Sequence, residues 1–421
     1  LKVLITATDQ AKPAFMIKYF FIVLFFFPYQ LFAQNAPNMM PQNNVVQDTA
    51  RQTDLIDIAK GLFHINPKKI RLQRGKKIYF SILPIGGAAP GGSGRALITS
   101  TTAAMYLGEP KTTNISSATF APYWNFKGRF GLPLRSSVWL PDNSWNIQGD
   151  VRFLVYPQYT WGLGSRRGYD ERTLVNYNYI RFYQSALKKI KPYLFAGLGY
   201  NLDYHSNIVS DDPAVDLPAY TNYQYGTRGN SLSSGLTFNL LYDTRNNSIN
   251  PLPGAYANLS FRVNPTFLGS DNNWQSVFLD MRKYFALNPA KRNQQNTLAL
   301  WSYFWTVLNS KTPYLDLPSV GWDAYNRSGR GMEQNRYRGK SLFYLESEYR
   351  RDITNNGLLG FVVFANVNTV SGSGTLFSSW HPATGTGLRL KFNKGSNTNI
   401  GMDYGVSKGY SAVVFSLGEA F

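Results

Sequence analysis

From Ile78 to Phe421 apolar and polar positions alternate in successive short runs, and each run ends in residues that favour turns. A period of two marks a strand whose two faces meet different surroundings. The pattern predicts strands at 78–86, 95–108, 114–126, 129–140, 144–155, 173–186, 191–204, 231–243, 254–264, 273–286, 295–308, 341–352, 357–369, 384–393, 398–407 and 410–421. The connections alternate in length. The joints at 156–172, 205–230, 309–340 and 370–383 are long, whereas Pro141–Ser144, Lys188–Lys191 and Thr354–Gly357 are short. An even number of strands, with short turns at one end and long loops at the other, is the organisation of a closed outer-membrane barrel. A soluble β-sandwich has no reason to keep that alternation. The expectation is an all-β, 16-stranded antiparallel transmembrane β-barrel over 78–421, preceded by a short periplasmic helical segment.

The chain ahead of the barrel follows a different pattern. Met16 to Phe27 is a lysine followed by a short apolar run, and Leu31-Phe-Ala33 offers a cleavage site before Gln34. The run has the order of a secretory signal and is too short to span a bilayer comfortably. A buried N-terminal helix is the alternative reading. Residues 1–33 are therefore read as an upstream extension and signal peptide, with Met16 the expected start. Residues 34–77 are read as a periplasmic linker, polar from Gln34 to Gln52, carrying one amphipathic helix. That helix is expected over Thr53–Phe63, with Thr53 or Asp54 as cap, followed by the basic run Lys68–Lys77.

Composition agrees with strands between lipid and water. Aromatic residues are 15% of the chain, charged residues only 16%, and mean hydropathy is −0.27. Removing 1–33 takes away Lys2, Lys12, Lys18 and Asp9 and leaves 40 basic and 23 acidic side chains, net +17. An exported chain meets no nucleic acid. The charge is expected to face lipopolysaccharide phosphates, anionic periplasmic surfaces or a polar lumen. Cysteine is absent, which excludes disulfides, Cys-ligated zinc and thiol catalysis. The three histidines, His64, His205 and His381, share no metal-ligand spacing. His205-Ser206 invites a hydrolase reading, but neighbours in a strand point to opposite faces, so His205 is expected to be an exposed loop residue. Gly162–Gly168 is glycine-rich but no helix follows it, so it is not a phosphate loop. No cofactor is implied.

In Tyr410–Phe421 the residues Val413, Phe415, Leu417 and Phe421 share a face by period two, and the opposite face is small. A lipid-facing strand is expected. Ser416-x-Gly418-x-x-Phe421 resembles the terminal assembly signal of outer-membrane barrels. Glu419 departs from its usual apolar residue and is expected near the membrane interface.

Four segments then resemble the outer-membrane assembly and translocation superfamily of BamA, TamA and the two-partner secretion transporters, whose barrel is often called the bacterial surface antigen domain. They are Tyr242–Gly254, Gly329-Arg-Gly-Met332, Tyr344–Arg350 and Gly360–Asn368. They look like the family's eighth-strand exit, its Arg-Gly-aromatic loop motif, and its twelfth and thirteenth strands. The resemblance covers about residues 78–421. It implies that the 309–340 loop folds into the lumen and brings Arg330, Gly331 and Met332 to inward groups on those strands. Leu342, Tyr344, Glu346, Glu348 and Arg350 share one face, so Glu348 can meet Arg330 with Glu346 nearby. Met332 replaces the usual aromatic, and Asn366 stands where the family has a second carboxylate. Arg338-Gly339 is a second candidate for the motif. Residues 34–77 are too few for a polypeptide-transport-associated domain, so a short, barrel-only member is expected.

The resemblance implies insertion or translocation of protein or lipid at the outer membrane, through a seam between the first and last strands. A passive pore or structural barrel is the alternative, with a barrel hydrolase as a third reading. Implied partners are outer-membrane lipids and lipopolysaccharide, the barrel assembly machinery for the chain's own insertion, and a candidate periplasmic protein partner.

Overall fold

The computed structural model describes residues 51–63, 78–88, 95–125, 128–245, 247–251, 253–288, 294–323, 326–372 and 378–421. The expected signal peptide, the Gln34–Gln52 linker up to residue 50, His64 and the basic run 68–77 lie outside them.

Among the described residues sixteen antiparallel strands form the barrel. They are β1 (Ile78–Ala88), β2 (Arg95–Met105), β3 (Ser116–Phe120 and Tyr123–Trp124), β4 (Phe130–Trp139), β5 (Trp145–Val155 and Gln158–Thr160), β6 (Thr173–Lys191), β7 (Leu194–Ser210), β8 (Gly229–Asp243), β9 (Gly254–Asn264), β10 (Trp274–Ala286), β11 (Asn296–Val307), β12 (Ser341–Asp352), β13 (Leu359–Val370), β14 (His381–Asn393), β15 (Thr398–Ser407) and β16 (Tyr410–Leu417). The two pieces of β3 both pair with β2 and β4, and the two pieces of β5 both pair with β6, so eighteen segments make sixteen strands. Each strand from β1 to β15 is hydrogen-bonded to its successor in the chain. β1 lies beside β16. Among the described residues no ladder joins these two, and the seam is the weakest-bonded joint of the wall.

The alternation read from the sequence is the alternation of the wall. On β8, Leu236, Phe238 and Leu240 face outward at 47%, 52% and 43% exposure, while Thr237 and Leu241 are buried inside. On β12, Leu342, Tyr344, Glu346, Glu348 and Arg350 are all buried on the lumen side. An apolar exterior around a polar, packed interior is a transmembrane barrel.

Several boundaries differ from the sequence reading. β6 runs through Lys191, so the turn lies at Pro192-Tyr193, where Tyr193 takes φ +64. β7 continues to Ser210 and carries His205 inside the strand. His205 is therefore buried and stacked on Tyr179 at 4.4 Å, not an exposed loop residue. His381 opens β14 and stacks on Tyr337 at 3.8 Å. One short helix, α2 (Leu217–Thr221), lies within the β7–β8 loop.

The end of the chain departs most from expectation. Val413 and Phe415 face outward as read. Gly418 then adopts φ +86, a conformation that suits glycine, and turns 418–421 into the lumen. Leu417 and Phe421, expected on the lipid side, are 6% and 3% exposed. The Phe421 ring packs 5.2 Å from Trp301 and its carbonyl accepts from Arg350 Nη2 at 2.8 Å. Glu419, expected at the interface, is buried against Arg389 Nε at 2.8 Å. A carboxylate inside the wall is stable there because it has a charged partner.

The α-helix α1 (Leu55–Leu62) precedes the barrel, with Asp54 as N-cap accepting from the Asp57 amide at 2.8 Å. It is fixed to the short turns that follow β12 and β14. Thr53 N donates to Asn356 O at 3.0 Å, and Lys394 Nζ reaches Asp57 at 2.6 Å.

Candidate functional site: the lumen loop and its arginine

The segment between β11 and β12 crosses the lumen. On one side it is tied to β5 and the piece that follows it. Tyr156 donates to Gln334 Oε1 at 2.6 Å, and Gln158 Oε1 accepts from Trp322 Nε1 at 3.2 Å and Asn335 Nδ2 at 2.6 Å. Val320 and Met332 pack with Tyr303, Tyr344 and Val370 of the opposite wall. Glu333 accepts from Arg172 Nη1 at 2.8 Å and from the Tyr169 hydroxyl, which ties the segment to the β5–β6 loop.

Arg330 lies at the centre. Its Nε donates to Glu346 Oε1 at 3.0 Å and its Nη1 to Asp403 Oδ2 at 2.8 Å, while Nη2 contacts both Glu346 and Glu348. The guanidinium stands 3.8 Å from the centre of the Phe364 ring. Asn366 Nδ2 donates to the Arg330 carbonyl at 2.9 Å. Burial works against the cation, but the carboxylates of Glu346, Glu348 and Asp403 hold the arginine pKa well above its ordinary value. Arg330 is 7% exposed, and Glu346 and Glu348 are fully buried. The planar fork can satisfy several acceptors at once, which a lysine cannot do.

The network continues beyond the residues singled out in the sequence. Asp403 also accepts from Arg389 Nη1 at 2.5 Å, and Arg389 reaches Glu419. Glu348 accepts from Arg350 Nε at 2.5 Å, and Arg350 holds Phe421. The loop and the inward-turned 418–421 segment are thus bound into one chain of ion pairs. Gly329 N donates to the Tyr344 hydroxyl at 3.0 Å, and Gly331 has φ +87. Met332 is buried, with its sulfur 3.0 Å from Asn368 Nδ2. Arg338, the second motif candidate, is buried but does not reach the strand acids. Its Nη1 donates to Tyr314 O at 2.6 Å and its Nη2 to Asn335 Oδ1 at 2.9 Å, so it braces the loop internally.

Ser416 and Gly418, from the assembly-signal pattern, lie at the start of the inward turn, where Gly418 N donates to Asn399 O at 2.8 Å. Between the loop and this turn lies a lumen cavity of about 330 Å³. Asp316, Trp322 and Arg327 border it from the loop, Glu419 and Phe421 from the turn.

At the cavity edge, His205 Nδ1 is 3.9 Å from Asp316, which accepts from Ser233 Oγ at 2.6 Å. Burial first, and then the nearby Asp203 carboxylate, push Asp316 up to about 7. A hydrolase relay needs the hydroxyl on the imidazole. Here Ser233 bonds the acid instead, and Ser206 points to the other face. Among the described residues no group of His, Asp and Glu is placed to hold a metal ion.

No curated protein sequence matches the chain. Among solved structures, CdiB from Acinetobacter baumannii is similar with a TM-score of 0.52 at 11% identity, covering 89% of this chain and 70% of that one. CdiB from Escherichia coli is similar with a TM-score of 0.50 at 12% identity, over 87% and 70%. BamA from Haemophilus ducreyi lacking POTRA domains 1–3 aligns with a TM-score of 0.49 at 15% identity, over 81% and 70%. At these identities the CdiB likeness speaks for the barrel fold. The family model described as the Omp85 superfamily domain matches residues 106–421, from the end of β2 through the inward turn, and the chain belongs to the Omp85 superfamily.

Proposed function

We propose that the chain is an outer-membrane barrel that takes part in inserting or translocating protein or lipid, with the β1–β16 seam as its moving part and the 309–340 loop as its lumen plug. The observation that carries this reading is the contrast in the wall. Every strand from β1 to β15 is laddered to its successor, and among the described residues no ladder joins β1 to β16. Each backbone hydrogen bond contributes about 0.5–1.5 kcal/mol net, so a joint without them opens at the lowest cost. Unpaired strand edges also attract a further strand. Superfamily membership supports a role in insertion or translocation in general, and the client is left open. In this reading the short turns face the periplasm, the long loops face outward, and the chain reaches the outer membrane by way of a cleaved signal peptide. Outer-membrane lipid, lipopolysaccharide and the barrel assembly machinery are its partners, with a periplasmic protein a further one. The chain itself acts without enzymatic chemistry.

The passive-pore reading is separated by planar-bilayer conductance. A plugged barrel conducts little, and deleting 322–336, which carries Arg330, raises its conductance. Large, steady conductance from the intact protein supports the pore and counts against the plug.

A further inference from the structure

The helix α1 is attached to the barrel the wrong way round for a helix in water. An amphipathic helix buries its apolar stripe against its neighbour and shows its charges to solvent. Here the polar side is the docked side. Asp57 takes the Lys394 ammonium at 2.6 Å, Asp54 accepts from the Lys394 amide at 2.8 Å, and Lys394 Nζ also donates to Gln52 O at 3.0 Å. At 3.6 residues per turn, Leu55, Ile58, Ala59 and Leu62 form one stripe on the side away from Asp57. None of the helix residues is buried, and Leu62 and the following Phe63 are 71% and 76% exposed.

The surroundings indicate what covers that stripe. The same end of the barrel carries exposed apolar side chains on its short turns and strand ends, among them Ile190, Leu287 and Ile353 at 54%, 53% and 60%. Cations stand beside aromatic rings at this end. Lys188 Nζ lies 5.9 Å from the Trp145 ring and Lys283 Nζ 5.6 Å from the Phe285 ring. Lys60, Lys188, Lys189, Lys191 and Arg351 are exposed. Apolar residues and rings beside lysine make an interfacial belt, and the excess of cations is complementary to anionic headgroups.

We propose that α1 is an interfacial anchor. Its polar side is clamped to the turns after β12 and β14, and its Leu55–Leu62 stripe lies at the headgroup–acyl boundary of the leaflet at the short-turn end. Anionic phospholipid is its ligand. The proposal rests on the transmembrane reading of the barrel and adds to it a lipid contact outside the wall.

The absence of native cysteine makes the test direct. Leu62→Cys in the full chain is labelled with an environment-sensitive dye and reconstituted into phosphatidylethanolamine–phosphatidylglycerol vesicles. Ile58→Cys is a second position on the stripe, and Lys60→Cys is the polar-flank control. Heat-modifiable gel mobility checks barrel insertion separately, so a barrel outside the bilayer is not mistaken for a helix outside it. The stripe labels are expected to be quenched by shallow doxyl-lipid. They should be shielded from aqueous iodide by about threefold or more relative to the Lys60 label, and less so when phosphatidylcholine replaces phosphatidylglycerol. Free access of iodide to both stripe labels overturns the proposal. So does iodide shielding without doxyl quenching, which means cover by the chain itself, or shielding lost as protein is diluted in the vesicles, which means cover by a second copy.

Discussion

Gly331 in the lumen loop and Gly405 on β15 meet backbone to backbone. A Cβ built on Gly405 stands 2.7 Å from the Gly331 Cα, and one built on Gly331 stands 2.7 Å from the Val406 nitrogen. The loop therefore reaches the wall only because two glycines face each other, and that approach sets Arg330 beside Asp403. Gly405→Val should push the loop off β15 at a cost of about 1–3 kcal/mol. Limited proteolysis is expected to cut within 309–340 in the variant and to spare the parent. Equal resistance would show that the loop is held elsewhere.

Arg330 is the only loop cation on Glu346, Glu348 and Asp403 that the hydrogen bonds of the described residues display. Removing it strands buried carboxylates. Arg330→Ala should destabilise the barrel by about 3–5 kcal/mol, measured by urea unfolding in vesicles. Arg330→Lys should recover part of this, because it restores charge without the fork. A loss under about 1 kcal/mol would mean that water screens the cluster.

Asp316 carries a pH dependence with a defined sign. Its carboxyl is raised from an ordinary 3.8 to about 7 in the folded chain by burial and Asp203. Between those values the folded state binds the proton more tightly than the unfolded one, so this group's contribution to stability falls as pH rises through the window. Asp316→Asn should flatten the fall in unfolding midpoint between about pH 5 and 7. An unchanged slope would assign the titration to another group.

The inward turn makes Phe415 on β16 and Phe421 beyond it behave differently. Phe421 packs on Trp301, with Tyr284 at 6.3 Å, and Phe415 is 41% exposed on the outer face. Phe421→Ala should cost about 3–5 kcal/mol as a core truncation, and Phe415→Ala clearly less. The reverse ranking would place Phe421 on the lipid side.

How much of this was legible follows from parity. The strands and the lumen face of β12 follow from a period of two, and that face holds Glu346 and Glu348. Asn366 came from the family resemblance. Asp403 was missed, although it shares a strand face with Gly401 and Gly405, small residues that leave room for an incoming loop. Parity failed at Phe421 because Gly418 takes a positive φ, and a backbone turn of that kind resets which face the next residues occupy. His205 was misplaced because β7 and its partner extend further than turn residues alone indicated. The inverted docking of α1 depends on contacts with Lys394, hundreds of residues away in sequence, which no local pattern reveals.

Insertion by this barrel depends on the β1–β16 seam, so locking the seam tests it. Cysteines introduced at facing positions of β1 and β16 form a reversible cross-link in a chain with no others. The purified protein in vesicles is then assayed for the rate at which an unfolded outer-membrane barrel inserts. The reduced protein should accelerate insertion, oxidation should abolish the acceleration and reductant should restore it. The same rate with the seam locked and open would contradict a role for the seam.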